Sequence, residues 1–135
     1  MPLQGISHIT FIVKDLERTA KFFRDGLGAV EVYDSREKNF SLSQEKFFML
    51  CGIWFAVMQG EPPPARSYGH LAFKIDDADL EGFEARLRAI GAEVKAPRPR
   101  ISGEGRSLYF YDFDNHLFEL HTGTLEERLE SYAAS

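Results

Sequence analysis

Ile6-Ser-His8-Ile-Thr10-Phe11-Ile-Val13-Lys-Asp15 and Tyr68-Gly-His70-Leu-Ala-Phe73-Lys-Ile75-Asp-Asp77 both read His-x-x-Phe-x-[Val/Ile], the second copy 62 residues after the first. A pattern that returns together with the segment next to it means one structural unit used twice. Each copy alternates as a half-buried strand does: Ile9, Phe11 and Val13 share one face, Leu71, Phe73 and Ile75 the matching one, and His8 and His70 point the other way. A helical repeat comes after each strand, with Leu16, Ala20, Phe23 and Leu27 in the first and Leu80, Phe83, Leu87 and Ile90 in the second. Asp15, and Asp77 or Asp79, stand where an N-cap is wanted, and Gly28 and Gly91 where a left-handed C′ residue closes the helix.

Outward from these pairs, the first half offers Phe40–Ser43, Phe47–Leu50 and Ile53–Met58 as strands, with Gln44-Glu45-Lys46 and Cys51-Gly52 as the turns between them. The second half offers Glu93–Lys95, Ser107–Tyr111 and Leu117–His121, the last two joined at Asp112–Asn115. Each half is thus a βαβββ module. The expected organisation is one α+β domain over residues 1–135: module one at about 5–60, a proline-stiffened linker at about 61–67, module two at about 68–122, and a helix at about 124–134. Thr124 and Glu127 form a capping box for that helix, and its stripe of Leu125, Leu129 and Tyr132 predicts that it docks.

Composition narrows the function. A hydrophobic fraction of 44% with 12 Phe supplies a core for 135 residues and excludes a disordered chain. Sixteen Lys and Arg against 21 Asp and Glu give a net charge of −5, a poor balance for gripping nucleic acid. The longest apolar stretch, Phe47–Met58, is broken by Gly52 and too short to span a bilayer. The first residues lack the basic and apolar regions of a signal peptide, and the lone Cys51, beside Leu50 and Ile53, reads as a buried thiol of a cytoplasmic protein.

Alternation puts Glu119 on the face of the last strand opposite Phe118 and Leu120, so His8, His70 and Glu119 are three polar groups that one concavity could gather. Two imidazoles and a carboxylate suit a divalent metal and leave positions open for water or substrate. Each residue alone reads better as a hydrogen-bonded strand residue or a solvated edge charge; the repeated position of the histidines is what argues for the metal. Lys95, Arg98, Arg100 and Arg106 face a single acid, Glu104, within one loop, a local basic excess that suits a compact anion or a solvated turn. Glu45 reads as a polar turn residue, and His121 as a possible partner orienting Glu119.

With these motifs the chain resembles the vicinal oxygen chelate superfamily, in which paired βαβββ modules form a cup around a divalent metal. Ser7-His8-Ile-Thr10, Gly69-His70-Leu-Ala-Phe73 and the run from Gly105 to His121 are most similar to the fosfomycin resistance proteins. Phe40 to Phe48, the Arg98–Arg106 loop and Gly123-Thr-Leu-Glu-Glu-Arg128 resemble the fosfomycin-hydrolysing FosX type. The resemblance implies Mn²⁺ on His8, His70 and Glu119, in a domain-swapped homodimer that draws His8 from one subunit and the other two ligands from its partner. It implies Thr10, Ser107, Tyr109, Arg128 and an arginine of Arg98-Pro-Arg100 as phosphonate contacts, and Glu45 as the general base that deprotonates water for attack on the epoxide. Fosfomycin, a small epoxide carrying a phosphonate, would leave as an inactive vicinal diol. Two rival functions stand beside this one: thiol transfer to the same epoxide, which needs no such carboxylate, and antibiotic sequestration, which needs no metal.

Overall fold

The computed structural model describes residues 2–96 and 105–134, so Arg98, Arg100 and Glu104 lie outside the described residues. The chain divides into two compact units, one ending at Ala65 and including Phe113–Asn115, the other beginning at Arg66. In the first unit β1 (His8–Val13) leads into α1 (Leu16–Lys21), then β2 (Val30–Asp34), β3 (Glu45–Leu50) and β4 (Ile53–Gln59), paired in the order β1-β4-β3-β2. In the second, β5 (His70–Lys74) leads through a 3₁₀ turn (Asp77–Asp79) into α2 (Leu80–Ala89), then β6 (Glu93–Val94), β7 (Ser107–Tyr111) and β8 (Leu117–His121), paired β5-β8-β7-β6. The two βαβββ ladders share one topology: the first strand runs parallel to the fourth, and the rest are antiparallel.

The helix-facing side of each sheet is the core. Phe23, fully buried, stacks on Phe48 at a 5.0 Å centroid distance and meets Phe55 at 5.7 Å; in the second unit Phe110 and Phe118 stack at 5.7 Å. After Lys21 the first helix widens into a π turn, Phe22–Gly26, with the Leu27 amide donating to the Phe22 carbonyl at 3.1 Å. Gly28 and Gly91 both take left-handed φ values, +78° and +86°, and turn the chain into the next strand as expected.

Several expectations are corrected. Phe40–Ser43 is not a strand, because β3 has both edges taken, by β4 and by β2; Phe40 and Leu42 are exposed in the β2–β3 loop. Glu45 and Lys46 consequently open β3 rather than forming a turn, and both are buried. Cys51 is exposed: with Gly52 it makes a two-residue hairpin turn in which both φ values are positive, +54° and +73°, which directs the thiol outward. Asp15 caps α1 by accepting from the Arg18 amide, but neither Asp77 nor Asp79 caps α2, because a 3₁₀ turn leads into the helix and Asp77 is held by Arg106. The last helix, α3 (Leu125–Ala134), has its capping box in place, Thr124 and Glu127 bonding reciprocally at 2.9 and 3.1 Å, yet Leu125, Leu129 and Tyr132 are exposed instead of docked. Among the described residues no helix is long and apolar enough to cross a membrane.

Candidate metal centre and anion site

Ladder register puts the two modules into correspondence residue by residue. His8 pairs with Trp54 and Thr10 with Ala56; the equivalent pairs are His70 with Leu117 and Ala72 with Glu119. Glu45 pairs with Met58 and Phe47 with Ala56, as Ser107 pairs with His121 and Tyr109 with Glu119. Partners in a ladder project to the same side. His8, Thr10 and Glu45 therefore occupy one sheet face in the first unit, and His70, Ser107, Tyr109, Glu119 and His121 the corresponding face in the second, both opposite the helices.

In the second unit these side chains are wired together. His70 Nδ1 lies 2.7 Å from the Tyr68 carbonyl oxygen, which can only accept, so Nδ1 carries the hydrogen. In the neutral imidazole Nε2 is then a bare lone pair, and it stands 2.9 Å from Glu119 Oε1, a second acceptor. Two electron-rich atoms converging this closely attract only with a cation between them, whether a proton or a divalent metal in its place. The backbone carbonyl behind His70 is the support that fixes a metal-ligating tautomer. The donor pair thus fits manganese by ligand type, oxygen and nitrogen without thiolate.

Glu119 Oε2 accepts from the Ser107 hydroxyl, whose Oγ is 2.7 Å from His121 Nδ1, and His121 Nε2 is 3.3 Å from an Arg128 guanidinium nitrogen. Arginine cannot accept. The direction is therefore fixed throughout: Arg128 donates to His121, His121 to Ser107, and Ser107 to Glu119. Burial pushes the Glu119 carboxyl up, but the Ser107 hydroxyl, the nearby His121 and His70, and the Tyr109 hydroxyl together hold it below the usual carboxylate range. Thr124 starts α3 so that Arg128 stands one turn in, its amide bonded to the Thr124 carbonyl. An open cavity of about 340 Å³ is lined by His70, Glu119, His121, Thr124 and Arg128.

The first unit differs. His8 is bonded to Ser7 at 3.0 Å and lies against Trp54 at a 4.2 Å ring distance, at the end of an aromatic row through Phe47 and Tyr33. The Trp54 indole nitrogen is buried with no hydrogen-bond partner among the described residues. Of the expected ligands, His70 and Glu119 meet within the second unit, and His8 belongs to the first. Arg106, part of the basic excess in its loop, is held by Asp77 at 2.7 Å and Glu81 at 3.0 Å. His116 is tied to the buried Asp112 at 2.7 Å. Lys46 carries no signal in its sequence position, yet its buried ammonium is gripped by Asp34, Glu17 and Glu31 at 2.9, 3.2 and 3.4 Å.

The sequence signature of the Glyoxalase/Bleomycin resistance protein/Dioxygenase superfamily matches residues 5–120, and the chain belongs to that family. Its relatives are narrower in kind. It is 57% identical over 127 residues to the fosfomycin resistance protein FosX of Mesorhizobium japonicum, covering 94% of this chain and 91% of that protein. The crystal structure of a FosX variant from Listeria monocytogenes, complexed with Mn(II) and 1S,2S-dihydroxypropylphosphonic acid, superposes with a TM-score of 0.87 at 49% identity, covering 96% and 98% of the two chains. A metallothiol transferase FosB of Staphylococcus haemolyticus is more distant, 36% identical over 134 residues, with 96% and 91% covered. Within the family the chain stands with the FosX proteins.

Proposed function

We propose that this protein is a manganese-dependent hydrolase that adds water to the epoxide of fosfomycin, giving an inactive vicinal diol phosphonate and so conferring resistance. One observation carries the reading: His70 Nε2 and Glu119 Oε1 converge as paired donors beside a cavity that Arg128 also lines. His70 and Glu119, with His8, hold the metal. When bound, manganese supplies Lewis-acid polarisation of the epoxide C–O bond. Arg128, Tyr109, Ser107, Thr10 and an arginine of the Arg98–Arg100 segment orient the phosphonate. Glu45 takes a proton from water; the water oxygen bonds to the epoxide carbon that carries phosphorus, that carbon's bond to the ring oxygen breaks, and the ring oxygen takes a proton from solvent to become the second hydroxyl while Glu45 returns its own to solvent, so that one water is added overall.

The division of donors between units supports a homodimer in which His8 of one subunit completes the site of its partner. The lone exposed thiol supports a reducing cytoplasm as the working compartment. A buried carboxylate on the same sheet face as His8 favours water over a thiol as nucleophile. Phosphorus NMR of purified protein, Mn²⁺ and fosfomycin, with and without glutathione, tests this: the diol is expected in both samples. A glutathione adduct as the sole product would transfer the chain to the thiol class, and metal-independent binding without turnover to the sequestering class.

A further inference from the structure

We infer that Ser35 is a positioning residue for Glu45, its hydroxyl standing in for a missing backbone acceptor so that the carboxylate is held at the very start of its strand. This rests on the reading of Glu45 as the base. Strand ends fray, and Glu45 is the first residue of β3. The register that pairs Asp34 with Lys46 places Ser35 opposite Glu45. In a hydrogen-bonded antiparallel pair the two residues exchange both N–H···O=C bonds. Here only one is made by backbone: the Ser35 amide donates to the Glu45 carbonyl at 3.0 Å. The Ser35 carbonyl has turned away to accept from the Lys38 amide at 3.1 Å, and the Glu45 amide donates instead to Ser35 Oγ at 2.9 Å.

The geometry around this exchange is built. Asp34 accepts from the Arg36 amide at 2.7 Å, and Arg36 stands at φ +59°, the left-handed step of the turn that brings the Lys38 amide back onto the Ser35 carbonyl. The same Asp34 takes the Lys46 ammonium on the opposite sheet face. From the other edge the Gln59 amide bonds to the Gln44 carbonyl at 2.9 Å, and the Ser43 hydroxyl to the Gln59 carbonyl at 2.6 Å. With the flanks secured and the Glu45 carbonyl held by the Ser35 amide, Ser35 Oγ is the acceptor that completes the hold on the Glu45 backbone. Ser35 is 3% exposed and Glu45 6%, so water is a poor substitute acceptor.

A general base displaced by a fraction of an ångström loses rate while binding survives. Ser35→Ala should lower kcat for diol formation about tenfold, with KM and Mn²⁺ affinity, the latter read by electron paramagnetic resonance, unchanged. Ser35→Cys, similar in size but a weak acceptor, should fall between, and serves if the alanine variant does not fold by circular dichroism. The deciding measurement is the double variant: because Ser35 acts through Glu45, S35A should cost nothing further in an E45Q background. An equal loss in both backgrounds, or no loss in either, overturns the inference while leaving Glu45 as base. A fully active E45Q single variant overturns both.

Discussion

The two modules share a ladder and differ in what hangs from it. At matching register positions the first carries Glu45, Ala56 and Met58 where the second carries Ser107, Glu119 and His121. Module two uses its face for a directed polar chain from Arg128 to Glu119, with His70 closing on the far oxygen. Module one packs its histidine at the end of an aromatic row and places a lone carboxylate at the strand start, its backbone amide held by the Ser35 hydroxyl. Duplication copies hydrogen-bond geometry, which depends little on side chains, whereas chemistry depends on the few positions that face away from the helices. Binding and reaction can therefore be divided between two copies of one fold.

That division can be broken at its strongest point first. His70→Ala removes the nitrogen donor facing Glu119 and should lower Mn²⁺ affinity at least about tenfold, taking turnover toward background. Isothermal titration with Mn²⁺ reads the first effect, and undiminished affinity would refute the donor pair. Glu45→Gln, in the other module, should leave Mn²⁺ affinity intact while cutting diol formation by about two orders of magnitude. Loss of metal in E45Q, or of catalysis without loss of metal in His70→Ala, would show that the two modules are not specialised as described.

Next in size is a purely structural effect. Lys46→Met leaves Glu17, Glu31 and Asp34 around an uncharged side chain; Glu17 is exposed and the other two are partly so, and the cost is nearer about 2 kcal/mol than the full penalty of an orphaned buried charge. Urea titration measures it. The same cluster fixes a pH dependence. The Lys46 ammonium and the Arg36 amide hold the Asp34 carboxyl below its ordinary value, so its contribution is fully present above the unfolded value near 3.8 and disappears as pH falls through the lower folded one. Acid unfolding of the native chain should therefore steepen below about pH 4, and less so in Lys46→Met. Equal acid sensitivity of the two would exclude the cluster as the cause.

The scaffold is legible in the sequence because strand and helix periods are local. β1, β5, β7, β8 and both glycine-terminated helices stand where alternation and capping put them. The illegible parts depend on long-range pairing. Phe40 and Leu42 have strand propensity but no free edge to join, and the true partner of β3, Val30–Asp34, is chosen by the ladder. Glu45 and Lys46 look like a turn until that pairing buries them on opposite faces. Arg106 looks like a cation open to an anionic ligand until Asp77, an expected cap, takes it. At the site, His70 and Glu119 are readable from alternation; the direction of the Ser107–His121–Arg128 chain is not, since it depends on which atoms can donate.

The smallest predicted effect tests the proposed role of Arg128, in module two, in binding the phosphonate. Thr124→Ala removes the hydroxyl that caps α3 and loosens the turn from which Arg128 projects. Loss of such a cap costs about 1 kcal/mol of helix stability. None of the residues of α3 is buried, so that cost should stay local and leave the global unfolding midpoint within about a degree. If Arg128 binds the phosphonate, the loosening should appear as a rise of a few-fold in KM with kcat nearly constant, the inverse of the Ser35→Ala signature in the first module. A fall in kcat at constant KM would instead move Arg128 from binding to turnover, and its chain through His121 and Ser107 to Glu119 would then be the route by which it acts.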